Sequence, residues 1–202
     1  MSIFVDKLYD YIQAKRATGY AYLGYPVYNV TKGDVQLIQD SADYFGFRPE
    51  WLANLINFES AGTFNPAITN SIGATGLIQF MGTTAPSIGT TTAALRTMTF
   101  AQQMVYVNKY IYMWYKTKKW VDVQGVPIKN KLTQPDLFMM IFYPAAIGNP
   151  DYVFPASVTA ANAGIKTPND YYNKAILSAP FKALLNLMET TAQIVEVVKK
   201  KA

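Results

Sequence analysis

The chain contains no histidine and no cysteine. The first absence excludes Ser/His/Asp and Cys/His triads, the usual zinc ligand sets and histidine general bases together. Acid–base catalysis is left to carboxylates, tyrosine or lysine. The second absence excludes a disulfide framework and leaves the redox compartment open. Charge is scarce as well: Asp, Glu, Lys and Arg make up 15% of the residues, against 50% hydrophobic ones. Such a composition builds a globular core and argues against disorder. A length of 202 residues suits one well-buried domain and would leave two cramped. Of the thirteen acidic residues, none falls between Ser60 and Val121.

The net charge of +5 is a modest excess, carried largely by Lys116, Lys118, Lys119 and the terminal Lys199-Lys200-Lys201. There is no dense Arg/Lys stripe, so a nucleic-acid partner is not expected. Met1 to Tyr20 interleaves Asp6, Lys7, Asp10, Lys15 and Arg16 with apolar residues and lacks the continuous apolar stretch of a secretory signal. The most apolar run, Leu137 to Ile147, is too short for a bilayer and contains Pro144. Neither stable membrane insertion nor a metal or other cofactor is expected.

Helix signals dominate. Thr31 and Asp34 read as a capping box, Val35, Ile38 and Ala42 as a stripe, and Gly46 as a stop. Pro49 and Glu50 open a second helix running through Trp51 to Glu59. From Thr63 to Ile88 the chain is rich in Thr, Asn, Ser and Gly, which predicts irregular loop or a small β-hairpin. Thr99 with Gln102 caps a long helix through Met104, Val107 and Ile111. Thr133, Pro135 and Asp136 start a nearly all-apolar one over Leu137 to Tyr143, the pattern of a buried central helix. Thr167, Pro168 and Asp170 start another. After Pro180, Phe181, Leu184, Leu185, Met188, Ala192 and Val195 share one face. Tyr20, Tyr22, Tyr25 and Tyr28 crowd a Gly- and Pro-containing segment near the N-terminus, read as an extended arm or strand over the domain.

One carboxylate is out of place. Leu52, Leu55, Ile56 and Glu59 follow the i, i+3, i+4, i+7 spacing of a single helix face, so Glu59 is expected on an apolar stripe. Desolvation there favours the protonated carboxyl, the form a general acid needs. Ser60 follows it, then Asn65-Pro66-Ala67, then Gly73-Ala74-Thr75-Gly76-Leu77-Ile78-Gln79-Phe80-Met81. Gly73 and Gly76 permit positive φ and a close backbone approach to a ligand.

This ordered series resembles the lytic transglycosylases of the goose-type-lysozyme-like group, in which a Glu-Ser pair precedes a Gly-Leu-(Met/Ile)-Gln motif. The likeness runs loosely from Val35 to Ile147. Gln79 to Tyr110, and Phe142-Tyr143-Pro144-Ala145-Ala146-Ile147-Gly148, resemble bacteriophage-encoded versions found as virion or lysis enzymes. Pro144 stands where the family has Asn, and Gly82 where Pro often follows the Met, so any contact made by that Asn is lost.

The resemblance implies a mainly α, lysozyme-like helical domain over residues 31–178, with a small hairpin or irregular region after the catalytic helix. A Tyr-rich arm over 1–30 and an amphipathic helix over 179–202 would flank it. It implies Glu59 as the single acid/base and Ser60 supporting the substrate N-acetyl group or orienting the Glu. Gly76 and Gln79 would contact the glycan, and the Tyr143 hydroxyl would lie near Glu59. Against these stand plainer roles: a helix-end cap for Ser60, a backbone tie for Gln79, and core packing for Tyr143. The implied substrate is peptidoglycan, with phage virion proteins as further partners, and the implied place of action is the cell wall, reached from a virion or on release at lysis.

The implied reaction cleaves the MurNAc–GlcNAc bond and closes a 1,6-anhydromuramoyl ring. No carboxylate follows Glu59 at close range, whereas glycoside hydrolysis normally takes a pair. A hydrolytic muramidase using Asp136 or Asp151 to position water, a non-catalytic glycan-binding virion protein, and an accidental motif match on a helical protein remain the alternatives.

Overall fold

The computed structural model describes residues 2–177 and Leu184. Helix α1 (Ile3–Ala17) begins where the Ser2 hydroxyl accepts from the Phe4 N–H. Its residues Phe4, Val5, Leu8 and Ile12 are buried. The first part of the segment read as an arm is therefore a core helix. The four-residue spacing of Phe4, Leu8 and Ile12 is its cause, a period that the neighbouring tyrosines obscured. The tyrosine-rich part is a hairpin, β1 (Ala21–Tyr22) and β2 (Tyr25–Pro26), pairing antiparallel. Leu23 and Gly24 between the strands both have positive φ, as a tight two-residue hairpin turn requires.

Helix α2 (Lys32–Phe45) carries the complete Thr31/Asp34 capping box and stops at Gly46 in the left-handed conformation. Helix α3 (Pro49–Glu59) has its proline at the first turn, where no N–H is missed. The stretch after α3 takes the irregular alternative rather than a regular hairpin: single bridges join Thr69 to Thr75 and Thr75 to Phe80. A 3-10 turn (Ala85–Ile88) and the short α4 (Thr92–Leu95) lead to α5 (Phe100–Thr117), which opens on the Thr99/Gln102 capping box. Helix α6 (Gln134–Phe142) opens on the Thr133/Asp136 box and runs into a 3-10 turn, Pro144–Ala146. Helices α7 (Ala156–Ala161) and α8 (Pro168–Leu177) complete the eight helices among the described residues. Asp170 accepts from the Thr167 N–H and the Thr167 hydroxyl from the Asp170 N–H, the reciprocal cap its sequence predicts.

Helix α2 packs against α1, α3 and α5, while α3 also packs against α6 and α8, and α6 against α8. Two tyrosines of α5 satisfy free carbonyls at helix ends. The Tyr115 hydroxyl donates to Phe45 O and the Tyr110 hydroxyl to Met140 O. The chain is thus mainly α, as its capping signals predict, with α3 held on three sides. Among the described residues no helix is long and apolar enough to cross a membrane. The helix expected over 179–202 lies outside the described residues apart from Leu184, which is buried in the core.

Integration of α1 into the core sets a test. Ile12→Ala removes a fully buried side chain, and should cost about 2–5 kcal/mol by the usual core-truncation range. Urea unfolding measures it; a change under about 0.5 kcal/mol would mark α1 as a loosely attached arm.

Candidate active site

Glu59 is the last residue of α3, on the face that carries buried Leu52, Leu55 and Ile56. Only part of the residue reaches solvent. Its carboxyl is enclosed closely enough that desolvation raises its pKa from 4.5 to about 8. Burial accounts for this shift, with no neighbouring carboxylate behind it. Among the described residues, no ion pair or hydrogen bond holds the Glu59 side chain in its charged form. The carboxyl is therefore kept protonated at neutral pH.

The turn after it is tightly built. Ser60 is fully buried, and its hydroxyl accepts from the Phe64 N–H at 2.9 Å while its carbonyl accepts from the Thr63 hydroxyl at 2.7 Å. Ser60 thus fixes the chain just beyond Glu59, the plainer of its two expected roles. Ala61 and Phe64 adopt positive φ at 49° and 51°, a conformation that non-glycine residues hold only where surroundings over-determine it.

Gln79 is a third such residue, at φ 53°. Its Nε2 donates to Gly76 O at 3.0 Å and to Ile68 O at 3.4 Å. The amide nitrogen ties the loop, which leaves Oε1 as the atom it can present to a ligand. Gly76 is at φ 93°, and a Cβ there would collide with the side-chain amide of Gln103. Sequence reasoning missed Gln103. This fully buried side chain accepts from Leu77 N–H and donates to Pro66 O and Leu95 O. One amide from α5 thereby pins three separate points of the loop that carries Gly76 and Gln79. Its place on the inner face of α5 was visible in the sequence, but its loop partners were not.

Tyr143 terminates α6 at φ −154° and ψ 82°. Its hydroxyl bonds Tyr152, and its ring packs on Tyr152 and Phe154. Among the described residues neither a hydrogen bond nor a charge interaction joins it to Glu59. The tyrosine that does feel the Glu59 charge is Tyr171 of α8. Its phenol is pushed upward by burial and then by Glu59. The ring stacks on Phe142 at 3.9 Å and meets Phe58 edge-on. Sequence reasoning capped α8 correctly but had no signal that its second turn would face α3.

Asp136 and Asp122 are committed elsewhere. Asp136 is buried; its Oδ2 accepts from Thr133 and its Oδ1 from Gly148 N–H. Asp122 holds a turn through the N–H groups of Gln124 and Val126. Asp151 is exposed. Among the described residues no three His, Cys, Asp or Glu side chains gather as a metal site would need.

Residues 36–104, from within α2 to the first turns of α5, match the family model of the transglycosylase SLT domain. The matched segment contains Glu59, Ser60, Gly76, Gln79 and Gln103, and stops before Tyr143 and Tyr171. No curated protein and no solved structure matches the chain.

Burial of Glu59 gives stability a definite pH dependence. Below about pH 4.5 the carboxyl is protonated folded and unfolded, so nothing is lost. Between pH 4.5 and about 8 the unfolded chain ionises while the folded one keeps its proton, so stability falls as pH rises. The full cost above pH 8 is on the order of 4–5 kcal/mol at 1.36 kcal/mol per pKa unit. Glu59→Gln should match the wild type near pH 4.5 and exceed it by a few kcal/mol at pH 8.5, measured by denaturant unfolding at each pH. A difference independent of pH would contradict the assigned burial.

Proposed function

We propose that this chain, which carries a lytic transglycosylase domain of the lysozyme-like family whose members cleave glycosidic bonds in peptidoglycan, cuts the MurNAc–GlcNAc bond with one carboxyl and leaves a 1,6-anhydromuramoyl end. The observation that carries this is the Glu59 carboxyl enclosed at the apolar end of α3, where desolvation raises its pKa to about 8 with no second carboxylate behind the shift. Glu59 donates its proton to the glycosidic oxygen as that oxygen leaves the anomeric carbon. The substrate's own N-acetyl group meets the positive charge developing at that carbon. Glu59, now ionised, takes the proton of the muramoyl 6-hydroxyl, whose oxygen closes on the anomeric carbon. The carboxyl ends as it began. An internal nucleophile enjoys a large entropic advantage over water, so no second base is needed.

Gln79 supports this reading as the residue whose Oε1 is free to accept from a sugar hydroxyl, on a loop locked by Gln103. Tyr171 lies within the field of Glu59, and Tyr143 is left as a wall of the same aromatic cluster. The commitment of both Asp136 oxygens to backbone and side-chain donors disfavours it as a water-activating base. The likeness of Gln79 to Tyr110 and of Phe142 to Gly148 to phage-encoded enzymes supports a place in a virion or release at lysis.

Glu59→Gln should lose roughly 10²–10⁴-fold of wall-cleaving rate, the usual contribution of a general acid. Turbidity loss of purified sacculi measures it, and retention of most of the activity would sink the assignment. Mass spectrometry of the digest should show muramoyl ends one water lighter than hydrolysis leaves. Reducing ends as the main product would mean that water is the nucleophile.

The rate should also follow the proton on Glu59. Because the protonated form starts the reaction, activity should hold through neutrality and fall about tenfold per pH unit above pH 8. A limb near pH 5 instead would show a carboxyl that is not desolvated.

A further inference from the structure

Helix α1 and the β1–β2 hairpin lie outside the segment that matches the family, yet they are fastened to the turn that follows Glu59. The Tyr20 hydroxyl donates to Ala61 O at 2.9 Å, Tyr28 N–H to Thr63 O at 2.8 Å, and Asn65 Nδ2 to Pro26 O at 3.2 Å. Lys15, in the last turn of α1, reaches over Gly62 so closely that a Cβ there would collide with its Nζ.

Two open pockets meet at this junction and share Tyr20. One, of about 750 Å³, is lined by Arg16, Tyr20, Tyr28, Asn29 and Asn65 among others. The other, of about 360 Å³, is lined by Tyr11, Lys15 and Tyr20 among others. Among the described residues, Arg16 and Lys15 are the only charged ones lining either. Among the described residues the ion pairs are Lys32 with Asp6 and Arg48 with Glu50, so neither pocket cation has an acidic partner. Lys15 is half-buried, its ammonium 4.3 Å above the Tyr20 ring. Burial also lowers its pKa. A cation that is partly stripped of water and answered only by an aromatic face calls for an anion.

We propose that the end of α1 and the hairpin form an added part of the substrate groove that holds the carboxylate-bearing peptide stem of the muramoyl residue, with Lys15 and Arg16 as its anion contacts and Tyr20 between them. The proposal rests on the glycan-cleaving reading of Glu59. Peptidoglycan supplies the anion: the stem hangs from the muramoyl sugar that Glu59 acts on and carries free carboxylates. The reach is right. Gly62, three residues past Glu59, lies at most about 11 Å from it along the chain, and three extended stem residues span about 10 Å.

The test compares two substrates, intact sacculi and glycan strands freed of stems by amidase digestion, using wild type, Arg16→Gln and Lys15→Gln/Arg16→Gln. Cleavage rates are read, together with co-sedimentation or pull-down of the same variants in a Glu59→Gln background, which decides binding even if neither substrate is cut. Thermal unfolding verifies that each variant folds, and the exposed Arg16 gives a single variant that leaves the core untouched. The wild type should prefer stem-bearing over stem-free glycan. That preference should fall several-fold in Arg16→Gln and about tenfold in the double variant, mainly through KM. A preference unchanged by both substitutions, or no preference in the wild type, would overturn the proposal. An equal loss on both substrates would also overturn it, since the cations would then serve the glycan or another wall anion. Failure of wild type to cut either substrate, with the binding preference intact, would overturn the catalytic reading and leave this one standing.

Discussion

A carboxyl enclosed by protein without a counter-charge is the constraint on which the site depends. Glu59 ends a helix whose inner face is apolar and which three neighbours clamp, so its carboxyl is enclosed and poorly solvated. The result is an acid with a pKa about 8. The turn that follows it is strained. Ala61 and Phe64 take positive φ, and Ser60, Thr63 and the backbone of Asn57 absorb the turn's hydrogen bonds. Phe138 of α6 and Tyr171 of α8 pack on Phe58 at the end of α3, and Phe142 stacks on Tyr171 behind them.

The loop that carries Gly76 and Gln79 obeys a different rule. It has little regular secondary structure, so its backbone groups must find partners one at a time. Gln103 supplies three of them from a single buried amide. This accounts for how an irregular stretch presents Gln79 in a fixed and costly conformation. It also accounts for Gly76, where the approach of that amide leaves no room for a Cβ. Helix α3 and this loop are therefore rigid for separate reasons: hydrophobic clamping in the one and polar cross-linking in the other.

The N-terminal elements add a third component. A helix and a hairpin outside the matched segment close against residues 61–65, so the surroundings of the turn after Glu59 are made partly by sequence that the match does not cover. The tyrosines predict an extended arm or strand, and the hairpin takes the second form, while the helix before it carries no such signal. A four-residue apolar period in α1 had been diluted by Tyr9, Tyr11 and the charges around it.

Local signals decided much of the rest. Thr31 with Asp34, Thr99 with Gln102, Thr133 with Asp136 and Gly46 all act within one turn of chain, and each cap forms where its residues predict. The placing of Glu59 on an apolar stripe was likewise local, since helix period alone puts it beside Leu52, Leu55 and Ile56. Contacts across tens of residues were not legible. Tyr171 facing Glu59, Gln103 reaching Pro66 and Leu77, and Lys15 lying over Gly62 depend on how helices pack, and packing is set by shape summed over the whole core. Sequence by itself determined which residues form helices and which carboxyl loses its water. Tertiary structure alone decided what surrounds that carboxyl, because desolvation and field act through space and the chain records only order.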